Sequence, residues 1–334
     1  MDIVTQGLLG AGLAQSAAGK DLRAATAVGF AAGLLPDADG LIRSGSDPLL
    51  FLEFHRHFTH ALVFVPIGAA LATLLLWPFF RRRMSLMRLY VYAFLGYSLA
   101  GVLDACTSYG THLLWPFSDT PVAWGIVAIV DPVFSLILLA AVGIGIYSRH
   151  NTAARTALLL AGAYLVFGAW QQQRVEAVAL ALAADRGQTV ERLLAKPTLG
   201  NLVLWRTLYV ADGTLHADAV RMGLVGDNRI YEGQSRPLLR PEDVRHSSEM
   251  SFRSRDMLRF ANFADGLLVR HPTRAGMIGD ARFAMLPTQL RPLWGIESDT
   301  AAPSAGARFV TDRSMSRHER QQFIDMLLGR SLTP

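Results

Sequence analysis

Three stretches of this 334-residue chain carry side chains that can hold a metal ion and act on an ester. The first is Leu34-Leu35-Pro36-Asp37-Ala38-Asp39-Gly40, where proline and glycine bracket two carboxylates. Read as an extended turn, it gives Asp37 and Asp39 a shared orientation at i, i+2. The second, His55-Arg56-His57-Phe58-Thr59-His60, leads into a long apolar segment. On a helix, His57 and His60 would share a face, and His55 would join them only if the helix starts after it. The third runs from Asp104 to His112, at the end of the next apolar segment. The candidate ligands are therefore Asp37, Asp39, His55, His57, His60, Asp104 and His112. Neutral imidazole and carboxylate oxygen suit a divalent ion, zinc first, with manganese or iron as alternatives. Two or three of each can hold two ions, which activate water and clamp an ester or phosphoryl oxygen.

Each of these residues also has a plainer use. Asp37 and Asp39 can simply end a helix. Asp131, before Pro132, is either a helix N-terminal residue or an acid standing behind the ligands. Arg56 pairs with an acid or with a substrate phosphate. A nucleophile is a weaker reading. Gly96-Tyr97-Ser98-Leu99-Ala100-Gly101 has one residue too many for a nucleophile elbow and falls in mid-helix, where small residues serve packing. Cys106 lies beside Asp104, which would raise a thiol pKa and leave it inert.

The elements that must position these residues are apolar. The chain is 51% hydrophobic and 18% charged, below the roughly 25% charge of a soluble domain. One cysteine excludes a disulfide scaffold. Of the 32 basic residues only Lys20 and Lys196 are lysine. No basic stripe is interleaved with aromatics, so no nucleic-acid partner is expected. Residues 1–173 hold ten basic and nine acidic side chains, against 22 and 18 in residues 174–334. The reading is an α-helical polytopic membrane domain over 1–173, followed by a soluble α+β domain over 174–334. Ala61–Phe80 has the ~20 residues a bilayer crossing needs. Leu89–Leu103, Pro132–Tyr147 and Thr156–Trp170 are shorter spans, and Ile3–Gly19 and Ala24–Leu35 are Ala/Gly-rich segments tucked against them. Asp2 and the lack of an early cation argue against a cleavable signal peptide.

Lys20 and Arg23, Arg81–Arg83 with Arg88, and Arg149 with Arg155 occupy three alternate loops, which the positive-inside rule places in the cytoplasm. Every candidate ligand then falls on the opposite face, together with the C-terminal domain. In that domain Arg174–Leu194 reads as a helix, and Leu202–Val210 with Thr214–Val220 as a hairpin turning at Asp212-Gly213. Asp256–Phe263 reads as a helix, Met277–Met285 and Leu293–Ile296 as strands, and Ala301–Gly306 as a loop. His216, His246, His271 and His318 show no ligand spacing.

Taken in order, Met1–Ala14, Leu35–Asp39, His55–His60, Asp104–Asp119 and Asp131–Phe134 resemble the YdjM/YbcI family of bacterial inner-membrane, metal-dependent hydrolases. Gly200–Arg206 resembles the start of that family's soluble portion. The resemblance implies Asp37, Asp39, His55, His60 and Asp104 as ligands. It also implies a multi-pass inner (plasma) membrane protein. Where the family carries histidine this chain has Gln6, a poorer zinc ligand, so either the site holds fewer metals, or Gln6 positions water, or activity is reduced. Two functions are open at this point. One is a hydrolase acting on a lipid, lipid-linked or phosphate-bearing ester at the bilayer surface. The other is a non-catalytic protein that binds metal for structure, sensing or transport.

Overall fold

In a computed structural model of the chain, residues 1–224, 226–245, 254–297 and 307–332 are described. His246 and the Ala301–Gly306 loop lie outside them. Helices α1 (Ile3–Ala17), α2 (Leu22–Leu34), α3 (Leu50–Phe54), α4 (Val65–Phe80), α5 (Leu86–Ser98), α6 (Ala100–Ala105), α7 (Pro132–Ser148) and α8 (Thr152–Asp185) come first. They are followed by β1 (Arg192–Pro197), β2 (Leu204–Ala211), β3 (Thr214–Met222), β4 (Asn228–Tyr231) and β5 (Ser235–Pro237). Then come α9 (Pro241–Arg245), α10 (Ser254–Phe263), β6 (Leu268–Arg270), β7 (Met277–Asp280), β8 (Trp294–Glu297), β9 (Arg308–Thr311) and α11 (Arg317–Leu328). A helical N-terminal region thus precedes an α+β region, as expected.

The chain forms two compact units. The first comprises Met1–Ile42, Phe54–Trp170 and Leu199–Leu202; the second comprises Arg43–Glu53, Gln171–Thr198 and Val203–Pro334.

In the first unit α1 packs on α2, α5 and α7, and α2 on α5. Glycine makes this possible: a Cβ on Gly29 would stand 2.3 Å from the Gly10 carbonyl oxygen, and one on Gly96 would stand 2.6 Å from that of Gly29. Such close backbones are the usual means of packing helices when water supplies no drive. Gln15 donates to Thr26 Oγ1 at 3.1 Å and to the Val142 carbonyl at 3.2 Å, tying α1 to α2 and α7. Leu62–Phe80, Leu86–Ala105 and Thr152–Asp185 are long and apolar enough to cross a membrane, and Pro132–Ser148 is a shorter apolar helix. Their outward faces carry Leu74, Leu136, Leu159 and Val166, all exposed. A soluble helix would place polar residues there.

The second unit holds two antiparallel sheets. One runs β1-β2-β3-β4 with β5 also on β3, and the other runs β6-β7-β8-β9. The β2–β3 hairpin closes with Ala211 opposite Thr214. Asp212 and Gly213 have φ of 49° and 68°, the left-handed pair that a two-residue turn requires. Two expectations need correction. The helix expected to reach Leu194 ends at Asp185, Gly187 turns the chain with φ of 69°, and Arg192–Pro197 pairs with β2. A short apolar run such as Leu193-Leu194-Ala195 reads as either element until a partner strand decides it. The strand expected over Met277–Met285 stops at Asp280, whose carboxylate turns back onto Arg282 at 2.8 Å. Leu49 and Leu52 belong to the core beneath the second sheet, with Met257, Phe260, Leu268, Ile278 and Ile296. Arg259 fastens their segment, pairing with both oxygens of Asp47 at 2.9 Å and with Glu53.

One buried cation in this unit carries a stability prediction. Lys196 on β1 lies opposite Arg206, with Nζ 3.5 Å from the centroid of the Phe283 ring. Burial, then the Arg206 charge, lowers its pKa well below the ordinary lysine value. A lysine that is neutral when folded binds fewer protons than its unfolded counterpart. Its contribution therefore grows as pH rises toward the unfolded value and shrinks as pH falls. Lys196→Met is expected to raise the unfolding midpoint at pH 7 by about 2–4 °C, the shift that ~1 kcal/mol gives a unit of this size. It should also flatten the rise in midpoint between pH 7 and 10. A midpoint lowered at pH 7 would mean that the ring contact holds the charged form.

A candidate metal centre

Asp37 and Asp39 sit on a 3-10 turn, Leu35–Leu41, that ends α2, with Pro36 in its first turn. His55–His60 follow α3. The helix stops there because Arg56 is left-handed, with φ of 60°, a conformation unfavourable by about 1 kcal/mol for a side chain with Cβ. Two contacts hold it. Its backbone N–H donates to Asp39 Oδ2 at 2.8 Å, and its guanidinium Nε reaches Asp104 Oδ2 at 2.9 Å. A second 3-10 turn, Phe58–His60, brings His60 inward, and Asp104 comes from α6.

His60 is the centre of the group. Its Nδ1 lies 3.2 Å from Asp39 Oδ2, and its Nε2 lies 3.5 Å from Asp37 Oδ1 and 3.2 Å from Asp104 Oδ2. Asp37 and Asp39 approach different nitrogens of one imidazole, while their carboxylate oxygens stay within 4.8 Å of each other. His55 Nδ1 meets the other oxygen of Asp39 at 2.9 Å. Thr59 Oγ1 donates to Asp39 Oδ2 at 2.8 Å.

Two sets of three ligand atoms lie within 4.8 Å of one another: Asp37, Asp39 and His55, and Asp37, His60 and Asp104. Asp37 belongs to both. Ligands ~2.0–2.2 Å from a tetrahedral ion stand about 3.3–3.6 Å apart, close to the spacings around His60 Nε2. That nitrogen and Asp104 Oδ2 are both buried and 3.2 Å apart, and Arg56 Nε stands 2.9 Å from the same carboxylate oxygen. A divalent ion seated here would take His60 Nε2 and carboxylate oxygens of Asp37 and Asp104 as ligands. The donor set fits such an ion.

The backbone of His60 is placed by the helix it faces. A Cβ on Gly101 would stand 2.0 Å from the His60 carbonyl oxygen. Tyr97 donates its hydroxyl to the Thr59 carbonyl at 2.6 Å. Gly101 and Asp104 are i, i+3 on α6, so the face that admits the His60 backbone also presents the carboxylate.

Charge is balanced around the group. Asp104 pairs with Arg56 and with the Met1 amino group. Arg56 also donates to Thr107 Oγ1 at 3.0 Å and to the Met1 carbonyl at 3.3 Å, and lies 4.7 Å over the Tyr109 ring. Of its two expected uses, the structure shows the pairing with an acid. Burial would raise the Asp39 pKa, but His55 and His60 outweigh it and hold the carboxyl well below the usual range. Burial would pull His60 down, but Asp104, Asp37 and Asp39 outweigh it and raise the imidazole to about 10.

Other candidates lie apart from the two sets. His57 and His112 face each other, ring centroids 4.5 Å apart, with Trp115 5.6 Å from His57. The left-handed Arg56 is the reason: it ends the helix on which His57 and His60 would have shared a face. Asp131 caps α7. Its Oδ1 accepts from the Phe134 N–H at 3.1 Å and its Oδ2 from the Tyr164 hydroxyl at 2.9 Å. Gln6 is buried in α1, its side-chain amide making no hydrogen bond. Burial pushes the Cys106 thiol up to about 11. Thr59, Tyr97, Gly101 and Thr107 support the group; the sequence names them only within longer stretches, with Gly101 read as a packing residue and none of them tied to the ligands. The one readable signal was a small residue three positions before Asp104.

The profile of the YdjM inner membrane protein family matches residues 1–175, and the chain belongs to that family. It is therefore associated with the lipid bilayer. A curated relative, the uncharacterized protein YfhP of Bacillus subtilis strain 168, is 26% identical over 216 residues, 64% of this chain. The match spans 63% of that relative's length, under two thirds. No solved structure matches the chain.

Proposed function

We propose that this inner-membrane protein is a multi-pass, metal-dependent hydrolase whose Asp37, Asp39, His55, His60 and Asp104 hold one or two divalent ions, zinc first. The observation that carries the reading is the pair of overlapping ligand sets that share Asp37. When bound, the metal supplies Lewis acidity and a water acidic enough to attack an ester or phosphoester. The protein supplies the rest. Asp39 orients both imidazoles, Thr59 holds Asp39, and Arg56 balances Asp104. Gln6 serves as an amide that orients water. His60 and Asp104 lie at the ends of Leu62–Phe80 and Leu86–Ala105, which favours a lipid or lipid-linked substrate met at the bilayer surface. Arginine placement in the loops supports an extracytoplasmic face for this end and for the C-terminal unit.

One observation favours a second reading, metal binding without catalysis. The His60 and Asp104 side chains are fully buried, and structural metal sites are closed. The His55 side chain is 27% exposed and that of Asp37 11%, so the other set remains open to water. Purified protein loaded with zinc, manganese or iron should be assayed on carboxylic and phosphoric ester panels, with His55→Ala alongside. Hydrolysis lost in His55→Ala supports the hydrolase. Bound metal with no turnover on either panel would leave the non-catalytic reading.

A further inference from the structure

The other end of the first unit holds a different kind of site. Lys20 and Arg23, from the α1–α2 loop and α2, line a cavity of about 460 Å³ together with Asp21, Arg83 from the α4–α5 loop and Arg149 at the end of α7. Among the described residues none of these four cations pairs with a carboxylate. Asp21, the one acid in the wall, is engaged by Arg88 at 2.6 Å. The first turn of α2 lines the cavity too, and no side chain caps it, so its partial positive charge adds to that of the cations. Orientation alone would account for arginines on this side of the helices. It does not account for three separate loops converging on one cavity.

The surroundings identify the anion. Phe79, Met87 and Tyr147, close in sequence to Arg83 and Arg149, are 76%, 71% and 91% exposed. They sit where the apolar helices end, the level at which a bilayer presents phosphate above acyl chains. We propose that this cavity binds the phosphate of an anionic phospholipid, with its acyl chains along the exposed apolar faces of α4, α5 and α7. This proposal is independent of the metal centre.

The test uses full-length protein in a non-ionic detergent, titrated with phosphatidylglycerol, phosphatidylcholine or sodium phosphate. Retained lipid is read by native mass spectrometry and the unfolding midpoint is followed in parallel. Phosphatidylglycerol should be retained and raise the midpoint. Arg83→Gln with Arg149→Gln should weaken its binding about 30-fold, from the contribution of two basic groups near an anionic surface. Lys20→Gln with Arg23→Gln should act similarly. These side chains are exposed, so the lipid-free midpoint should not move. Arg81→Gln with Arg82→Gln removes the same charge from outside the cavity and should leave binding within about threefold, a margin for long-range attraction alone. Equal retention of phosphatidylcholine, or equal loss in the Arg81/Arg82 pair, would overturn the proposal. Protection by inorganic phosphate at the same concentrations would overturn the choice of lipid.

Discussion

Asp37→Asn is expected to remove nearly all bound divalent metal while leaving the metal-free protein folded. Asp37 is the ligand common to both sets, so its loss reduces each from three protein ligands to two. The reduction in affinity should exceed the ~10–100-fold that follows loss of a group merely supporting a ligand. The effect on folding should be small. The side chain is 11% exposed, and its contact with the cluster is a 3.5 Å approach to His60. Asp104→Asn makes the contrast. It also removes a ligand, but it leaves Arg56 and the Met1 amino group buried without their counter-charge. Breaking a buried pair in this way costs about 3–5 kcal/mol. Metal content by plasma mass spectrometry, read with the unfolding midpoint of the metal-free proteins, separates the two. Wild-type zinc content in Asp37→Asn would end the shared-ligand arrangement.

Gly101→Ala should be the most damaging single methyl group in the first unit. The added Cβ would lie 2.0 Å from a backbone oxygen, that of His60, so relief requires moving the chain and not a side chain. Overpacking of this kind costs about 1–3 kcal/mol, and the displaced segment is the one that carries the His60 ring. Stability and metal retention should fall together. Gly143→Ala in α7 is the control, because a Cβ there meets nothing within 4 Å. It should be neutral or stabilising by up to ~1 kcal/mol. Full metal retention in Gly101→Ala would show that the ring is held from elsewhere.

Much of the helical scaffold was legible because apolar length needs no partner to be recognised. Asp131 before Pro132 was likewise readable as a helix N-terminus, and that is its place. The side chains of the centre were readable by type, but the selection among them was not. His55 and His60 join Asp39 while His57 turns to His112, a division made by the left-handed Arg56, whose conformation depends on Asp39 and Asp104 elsewhere in the chain. The 3-10 turn that carries Asp37 and Asp39 was not legible, because the stretch between Pro36 and Gly40 reads equally as extended. β1 was hidden because Leu193-Leu194-Ala195 is a strand only beside Leu208 and its neighbours.

The segment Arg43–Glu53 links two of the ligand stretches, yet packs within the second unit. Asp47 is fastened by Arg259, 212 residues further along. At ~5–20 residues per second of synthesis, Asp47 waits on the order of 10 to 40 s for its anchor. During that interval Asp37 and Asp39 are already made, and so are His55 and His60, but the tether between them is loose and Leu49 and Leu52 have no core. The anchoring of this loop is thereby deferred until the C-terminal half has been translated. A ribosome that stalls between residues 104 and 259 leaves every ligand present along the chain and the loop between the first two ligand stretches unanchored.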